Sequence, residues 1–346
     1  MIYWWLIPVV AVLSFALTAA LRRYALVRSI IDIPNARSSH SVPTPRGGGV
    51  AIVVAFTLAL PFLGWTHAVS FDVLIAAGGS GALIAIIGFM DDHGHIAARW
   101  RLLGHFAAAA WALFWLGGLP AITLFGMSVD LGWAGGVLAA FYLVWMLNLY
   151  NFMDGIDGIA SVEAICVCLG ICLLYWLNGL EGLVLLPLLL AMAVAGFLFW
   201  NFPPARIFMG DAGSGFLGMI LGVLSIQAAW ASSQFLWAWL ILLGVFIVDA
   251  TFTLIRRLVR GDKVYEAHRS HAYQFASRRC GKHLPVTLAV ATLNLFWLLP
   301  MAMCVVLLGL DGALGVVIAY IPLIALALKF HAGELESSVS SATSNS

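Results

Sequence analysis

Six aspartates stand where an apolar chain has least reason to keep them. Asp91-Asp92 closes the third long apolar run, Asp154 and Asp157 lie in NFMDGIDG after the fifth, Asp211 lies in FMGDAGSG after the seventh, and Asp249 lies inside the ninth. A carboxylate inside a bilayer costs about 2.5–3.5 kcal/mol on insertion scales. Gathering several near one interface adds like-charge repulsion. A divalent cation offsets both costs, and magnesium suits the role because it takes carboxylate oxygens together with substrate phosphates. Taken singly, each aspartate reads equally well as a solvated helix end. Five of them in Gly-rich motifs on one side point instead to phosphate chemistry.

The surroundings of the acids add detail. In NLYNFMDGIDG, Asn148, Asn151, Asp154 and Asp157 recur every third residue. Each such step turns a helix by about 300°, so the four cannot form one straight ligand row. Gly155 and Gly158 permit a break that returns the acids to one place. Asparagine both donates and accepts, which suits a sugar, base or phosphate. In NFPPARIFMGDAGSG, Pro203-Pro204 stops a helix, and the glycines around Asp211 open the next one, whose N–H groups favour an anion. Residues 256–283 hold eight basic side chains and three histidines, with His268 and His271 in an HxxH pattern that a helix would place on one face. A zinc pair there lacks an evident third ligand, so a cationic, hydrogen-bonding cradle for phosphate is the expectation. The first polar loop, DIPNARSSHSVPTPRGGG, contributes Arg37, His40 and Arg46, though alone it is an ordinary basic linker.

These motifs must be positioned by membrane helices. The 346 residues are 63% hydrophobic and only 10% charged, with a mean hydropathy of +1.02. An ordinary soluble domain is about a quarter charged, so a water-soluble globule and a disordered chain are both excluded. Continuous apolar runs near 3–21, 48–67, 71–90, 103–118, 134–150, 161–178, 182–200, 213–230, 235–255, 286–308 and 312–330 predict an all-α polytopic fold. That is about eleven transmembrane helices. With the N-terminus outside (periplasmic), all 17 Lys and Arg fall on one side, which the positive-inside rule makes cytoplasmic. The C-terminus is then cytoplasmic too, and so is the face carrying the motifs. A single membrane domain over 1–332 and a disordered tail over 333–346 are expected. Cys166, Cys168 and Cys172 read as small packing residues, and no paired CxxC suggests structural zinc.

The chain resembles the polyprenyl-phosphate N-acetylhexosamine-1-phosphate transferases, the MraY/WecA family. The resemblance rests on DIPNARSSH…PRGGG, GFMDD, NLYNFMDGIDG, NFPPARIFMGDAGS and the histidine loop, in that order. It implies transfer of a sugar 1-phosphate from a UDP-N-acetylhexosamine to undecaprenyl phosphate, with release of UMP. It implies magnesium as cofactor, with manganese as a substitute. Asp91 and Asp92 match the family's acid pair for lipid-phosphate handling and catalysis, and Asp211 its magnesium ligand. Phe208 matches an aromatic position beside the uracil. Asn148, Asn151, Asp154 and Asp157 match the nucleotide-sugar motif, with Arg37, His40 and Arg46 in the same substrate role. His268 and His271 match the histidine motif and are assigned to catalysis. The bacterial inner membrane is the implied location, no nucleic acid is involved, and a homodimer stays open.

Two departures separate this chain from the peptidoglycan-precursor members. Asp91-Asp92-His93-Gly94-His95 lacks the lysine of their DDxxK motif, and His268-Arg269-Ser270-His271 replaces their triple histidine. A muramyl-pentapeptide donor is therefore disfavoured. The expectation moves to the branch that starts O-antigen, lipopolysaccharide and other surface polysaccharides. UDP-GlcNAc is the default donor, with a 6-deoxy relative such as UDP-FucNAc or UDP-QuiNAc as an alternative. P-loop and kinase motifs are absent. An ion-coupled transporter with carboxylate sites is the rival reading, but such sites lie near mid-membrane in repeated halves. A non-catalytic scaffold would explain the spans and not the acids.

Overall fold

A computed structural model describes residues 4–34, 40, 42–94, 96–262 and 268–334. The helices are α1 (Leu6–Val27), α2 (Val50–Trp65), α3 (Phe71–His93), α4 (Ala98–Leu116), α5 (Gly132–Met153), α6 (Ile159–Leu177), α7 (Glu181–Asn201), α8 (Asp211–Ala231), α9 (Ser233–Leu242), α10 (Gly244–Arg260), α11 (Ala272–Cys280), α12 (Leu284–Leu293), α13 (Leu299–Leu307) and α14 (Gly312–Lys329). A π-helical turn, Asn294–Leu298, joins α12 to α13. Two short antiparallel hairpins complete the described chain. β1 (Ile31–Asp32) pairs with β2 (Thr44–Pro45), and β3 (Ile122–Leu124) with β4 (Met127–Val129).

Among the described residues, eight helical spans are long and apolar enough to cross a membrane, α12, the π-turn and α13 forming one of them, or nine when α9 and α10, bent by 70° at their junction, also count as one span. The structure thus gives an all-α, multi-pass membrane protein with fewer qualifying spans than the eleven expected. Two helices make the difference. α2 has only 16 residues. α4 opens on Ala98-Arg99-Trp100-Arg101 and carries His105, which dilutes its apolar character.

α8 is the central post. Its 18-residue apolar window is 94% buried, with α3 and α5 packed along it. Lipid is as apolar as leucine, so burial from lipid gives little drive, and close packing through small residues must hold the bundle. The contacts fit that rule. A Cβ on Gly218 of α8 would lie 2.4 Å from the Met146 carbonyl oxygen of α5. α1 lies along α7, and α9 lies against α13 and α14. The buried apolar side chains form one main cluster running from Leu6 to Leu323.

Candidate active site

The loops after α1, α5 and α7, the end of α3 and the chain around α11 meet at one end of the bundle. Backbone hydrogen bonds fix them there. Phe208 N donates to Pro45 O (2.8 Å), Gly48 N to Phe208 O (2.9 Å) and Gly49 N to Met209 O (2.8 Å). The buried amide of Asn201 bridges two further segments. Its Oδ1 accepts from Gly158 N, and its Nδ2 donates to Ile207 O, both at 3.0 Å. α5 stops at Met153, and α6 starts behind Gly158 in the left-handed region (φ +74°). This is the break that Gly155 and Gly158 allow.

The approach of α3 to α8 depends on Gly88. A Cβ there would lie 2.6 Å from the backbone of Asp211 and Ala212. At this spacing Asp92 Oδ2 accepts from Ala212 N (3.3 Å), one of the unpaired donors at the start of α8. Arg46 reaches the same aspartate, donating to its backbone carbonyl, with its guanidinium 3.7 Å from Oδ1. Asp91 points the other way. It pairs with Arg101 of α4 and accepts from Ile96 N (2.9 Å).

Two cavities open from this frame. The first, about 480 Å³, is strongly charged. Its lining includes Asp32, His40, Arg46, Asp92, Asp154, Ile156, Asp157, Phe208, Arg269, Arg278, Lys282 and His283. The second, about 740 Å³, runs between α3, α4, α5 and α10. Ile84, Leu102, Phe106, Phe141, Val144 and Leu254 supply apolar wall, and Asp91, Arg101, His105, Asn148, His268 and His271 the polar groups. Asn151, Gly155, Asp211 and Gln274 line both.

The candidate residues are therefore divided. His40, Arg46, Asp92, Asp154, Asp157 and Phe208 line the charged cavity, while Asp91, Asn148, His268 and His271 line the apolar one. Asn151 and Asp211 stand where they meet. Arg37 lies outside the described residues. Some side chains are already committed within the protein. Asn148 Nδ2 donates to Val144 O (2.7 Å), and Asn151 Oδ1 accepts from Ser214 Oγ (2.8 Å). Asp157 Oδ2 accepts from Ala205 N (3.0 Å), and its Oδ1 lies 3.1 Å from His283 Nδ1. The His40 ring stands edge-on to Phe208, with centroids 4.8 Å apart.

The histidines depart from the expected helical face. His271 is the extended N-cap of α11, and His268 lies in the non-helical chain before it. The loop still brings them together, with rings stacked at 4.9 Å and 28°. Burial, then His271 and Arg257 nearby, push the His268 imidazole down to about 3, so it is neutral. Asp154 is driven the other way. Desolvation, followed by the charges of Asp211, Asp157 and Asp92, holds its carboxyl well above the usual carboxylate range. Among the described residues no three His, Cys, Asp or Glu side chains converge as a self-sufficient metal site. Magnesium does not require one, since it binds through one or two carboxylates plus phosphates and water. Carboxylates lining one cavity, Asp211 among them, fit such an ion.

Several lining residues are not among the candidates read from the sequence: Asn201, which opens NFPPARIFMGDAGSG, Gln274, Arg101, His105 and the basic arc Arg269, Arg278, Lys282. The arc was foreshadowed only as a basic loop, and Arg101 only as one of two arginines opening α4.

Known proteins are similar to this chain over most of its length. Residues 74–229 match the family model described as glycosyl transferase family 4. The chain is 30% identical over 266 residues to a probable undecaprenyl-phosphate N-acetylglucosaminyl 1-phosphate transferase of Bacillus subtilis, covering 74% of this chain and 72% of that one. It is 31% identical over 304 residues to a decaprenyl-phosphate N-acetylglucosaminephosphotransferase of Mycolicibacterium smegmatis, covering 75% and 73%. It is 33% identical over 257 residues to a phospho-N-acetylmuramoyl-pentapeptide-transferase of Pelotomaculum thermopropionicum, covering 68% and 76%. Each relative is named a transferase, and none supports the transporter alternative. The chain belongs to glycosyl transferase family 4, the polyprenyl-phosphate N-acetylhexosamine-1-phosphate transferases that its motifs resemble.

Proposed function

We propose that the protein transfers N-acetylhexosamine 1-phosphate from a UDP-N-acetylhexosamine to undecaprenyl phosphate, releasing UMP, at the cytoplasmic face of a bacterial inner membrane. The observation that carries this reading is the meeting of the two cavities at Asn151, Gly155, Asp211 and Gln274. One is lined for a soluble, multiply charged donor, the other for an acceptor with an apolar tail and an anionic head. A transferase needs both, side by side.

In the charged cavity, Phe208 offers a flat face for the base, and Arg46, Arg269, Arg278 and Lys282 face the diphosphate. In the apolar cavity, Arg101 and His105 stand at the polar end, where the acceptor phosphate would lie. An acceptor phosphate oxygen bonds to the β-phosphorus. The bond from that phosphorus to the bridging oxygen breaks, and UMP carries the oxygen away. A phosphate monoester is already largely dianionic near neutral pH, its second pKa being about 6. Holding two anions in line therefore matters more than removing a proton. Asp211, which stands where the two cavities meet, would hold magnesium. When bound, the ion supplies charge neutralisation at the diphosphate.

The absence of the DDxxK lysine and the altered histidine motif favour a donor without a peptide. UDP-GlcNAc or a 6-deoxy relative is the proposed donor, and the product would start a lipid-linked O-antigen or other surface polysaccharide. The test is UMP release by purified protein with undecaprenyl phosphate, magnesium and a panel of UDP-GlcNAc, UDP-FucNAc, UDP-QuiNAc and UDP-muramyl-pentapeptide. Release with one sugar, lost in EDTA and in Asp211→Asn, is the expected result. Release with the muramyl-pentapeptide donor alone would overturn the donor assignment. No release with any donor, from folded protein that binds the lipid phosphate, would overturn the function.

A further inference from the structure

Asp249 is an acid inside an apolar run that phosphoryl transfer leaves without a role. It sits in α10 at 6% exposure. Its Oδ1 accepts from Ala272 N (2.9 Å) and Thr253 Oγ1 (3.2 Å) and lies 3.2 Å from His271 Nδ1. Its Oδ2 accepts from Tyr273 N (3.0 Å). Two of these donors are backbone N–H groups of the first turn of α11, which no carbonyl of that helix can satisfy. Gln274 Oε1 in turn accepts from His271 N (3.2 Å).

The chemistry of the third contact is one-directional. An ionised carboxylate only accepts hydrogen bonds, so the His271 nitrogen facing Asp249 must carry a proton. The other nitrogen, Nε2, is then left for the cavity that the ring lines. Stacking leaves the ring little freedom to turn. His268 lies at 4.9 Å and 28°, Phe152 at 6.4 Å and 29°, and Tyr273 at 5.7 Å and 27°. His271 itself is 3% exposed.

Building on the transfer reaction proposed above, we infer that Asp249 is a positioning residue. It holds His271 as the Nδ1–H tautomer, with Nε2 presented to the acceptor phosphate. Helix docking is a second consequence of the same carboxylate, and the two are separable. Asp249→Asn keeps one acceptor oxygen for the helix start. Its amide N–H₂ against Nδ1 favours the opposite tautomer, which puts the proton on Nε2.

The experiment compares wild type, Asp249→Asn, Asp249→Glu, His271→Gln and the Asp249→Asn/His271→Gln double variant, as purified full chains. UMP release is measured while donor and undecaprenyl phosphate are varied in turn. The expected result is a kcat loss of about 10²-fold or more in Asp249→Asn. Its donor KM should stay within about twofold, because His271 does not line the donor cavity. Asp249→Glu should recover part of the loss, and the double variant should be no slower than the slower single one, since residues acting as a unit are not additive. Wild-type kcat in Asp249→Asn would overturn the inference. So would multiplied losses with a raised donor KM, which mark a purely structural clamp displacing Gln274 and Arg278. Failure of both Asp249 variants to fold would likewise assign the carboxylate to folding alone. The wild-type rate in the same series separates failure of the transfer reaction from failure of this inference.

Discussion

Gly88→Ala tests the claim that catalysis depends on how closely α3 meets the start of α8. The added Cβ would stand 2.6 Å from Ala212 N and from the Asp211 carbonyl carbon and oxygen. These are backbone atoms, so no side chain can swing aside. Ordinary contact begins near 3.4 Å, and the two helix backbones must part by about 0.8 Å. That displacement carries Asp92 away from Ala212 N and from Asp211, across the cavity where the donor is proposed to bind. A misplacement of about 1 Å can cost about 10²-fold in rate, and overpacking about 1–3 kcal/mol in stability. The assays are UMP release and thermal unfolding in detergent. Gly78→Ala is the control on the same helix, because its Cβ meets only the Leu60 Cδ1 methyl at 3.2 Å. Gly88→Ala should lose rate and unfold earlier, while Gly78→Ala stays close to wild type. A Gly88→Ala protein with wild-type kcat and unfolding temperature would refute the reasoning.

Three further predictions follow from individual contacts. Arg101→Gln should raise the undecaprenyl phosphate KM about tenfold and leave the donor KM alone, because Arg101 lines only the apolar cavity; a shift in donor KM instead would reassign it. Asn201→Ala leaves Gly158 N and Ile207 O without the amide that joins them. At about 1–3 kcal/mol for each buried orphan, a clear fall in unfolding temperature is expected, and its absence would mean water replaces the amide. His268 has its pKa lowered from 6.5 to about 3. Between those values the unfolded chain binds more protons than the folded one, so this group's stability contribution is complete above pH 6.5 and drains as pH falls. His268→Asn should therefore lose less unfolding temperature than wild type between pH 7.5 and 5. Equal losses in both would show that other groups set the acid limb.

How much could be read beforehand depended on whether a residue's partner was close in sequence. The aspartate motifs were legible because an acid flanked by glycines in an apolar chain has few inexpensive explanations. The break after α5 was legible for the same local reason, and Gly158 takes the left-handed backbone it requires. The histidine geometry was not. An HxxH spacing suggests a helix face, but Asp249, 22 residues upstream of His271, captures the N–H groups that begin α11. The chain enters that helix in extended form at His271. Asn201 was passed over because its partners Gly158 and Ile207 come from two different loops. The division of the aspartates between two cavities was also hidden. Asp91 and Asp92 are adjacent in sequence, and only the directions of Arg101 and Arg46 separate them.

The junction of α9 and α10 shows most clearly what hydropathy omits. The run 235–255 is continuous in apolar content, and a hydropathy reading makes it one straight span. The chain instead bends by 70° there. Gly244 opens α10 where a Cβ would stand 3.0 Å from the Tyr320 ring and 3.1 Å from Leu323 Cδ1, both on α14. A straight continuation of α9 would follow a different path from the observed α10. The bend places Leu254 opposite Phe106 and Phe141 as a wall of the apolar cavity and brings Asp249 beneath the histidine loop. Both consequences concern the cavity proposed for the acceptor. On that proposal, one helix element shapes the room for an apolar tail and, through Asp249 and His271, orients a polar group toward its head. A substitution that straightens the junction should impair acceptor use before it impairs donor binding, because residues 244–260 are absent from the lining of the charged cavity.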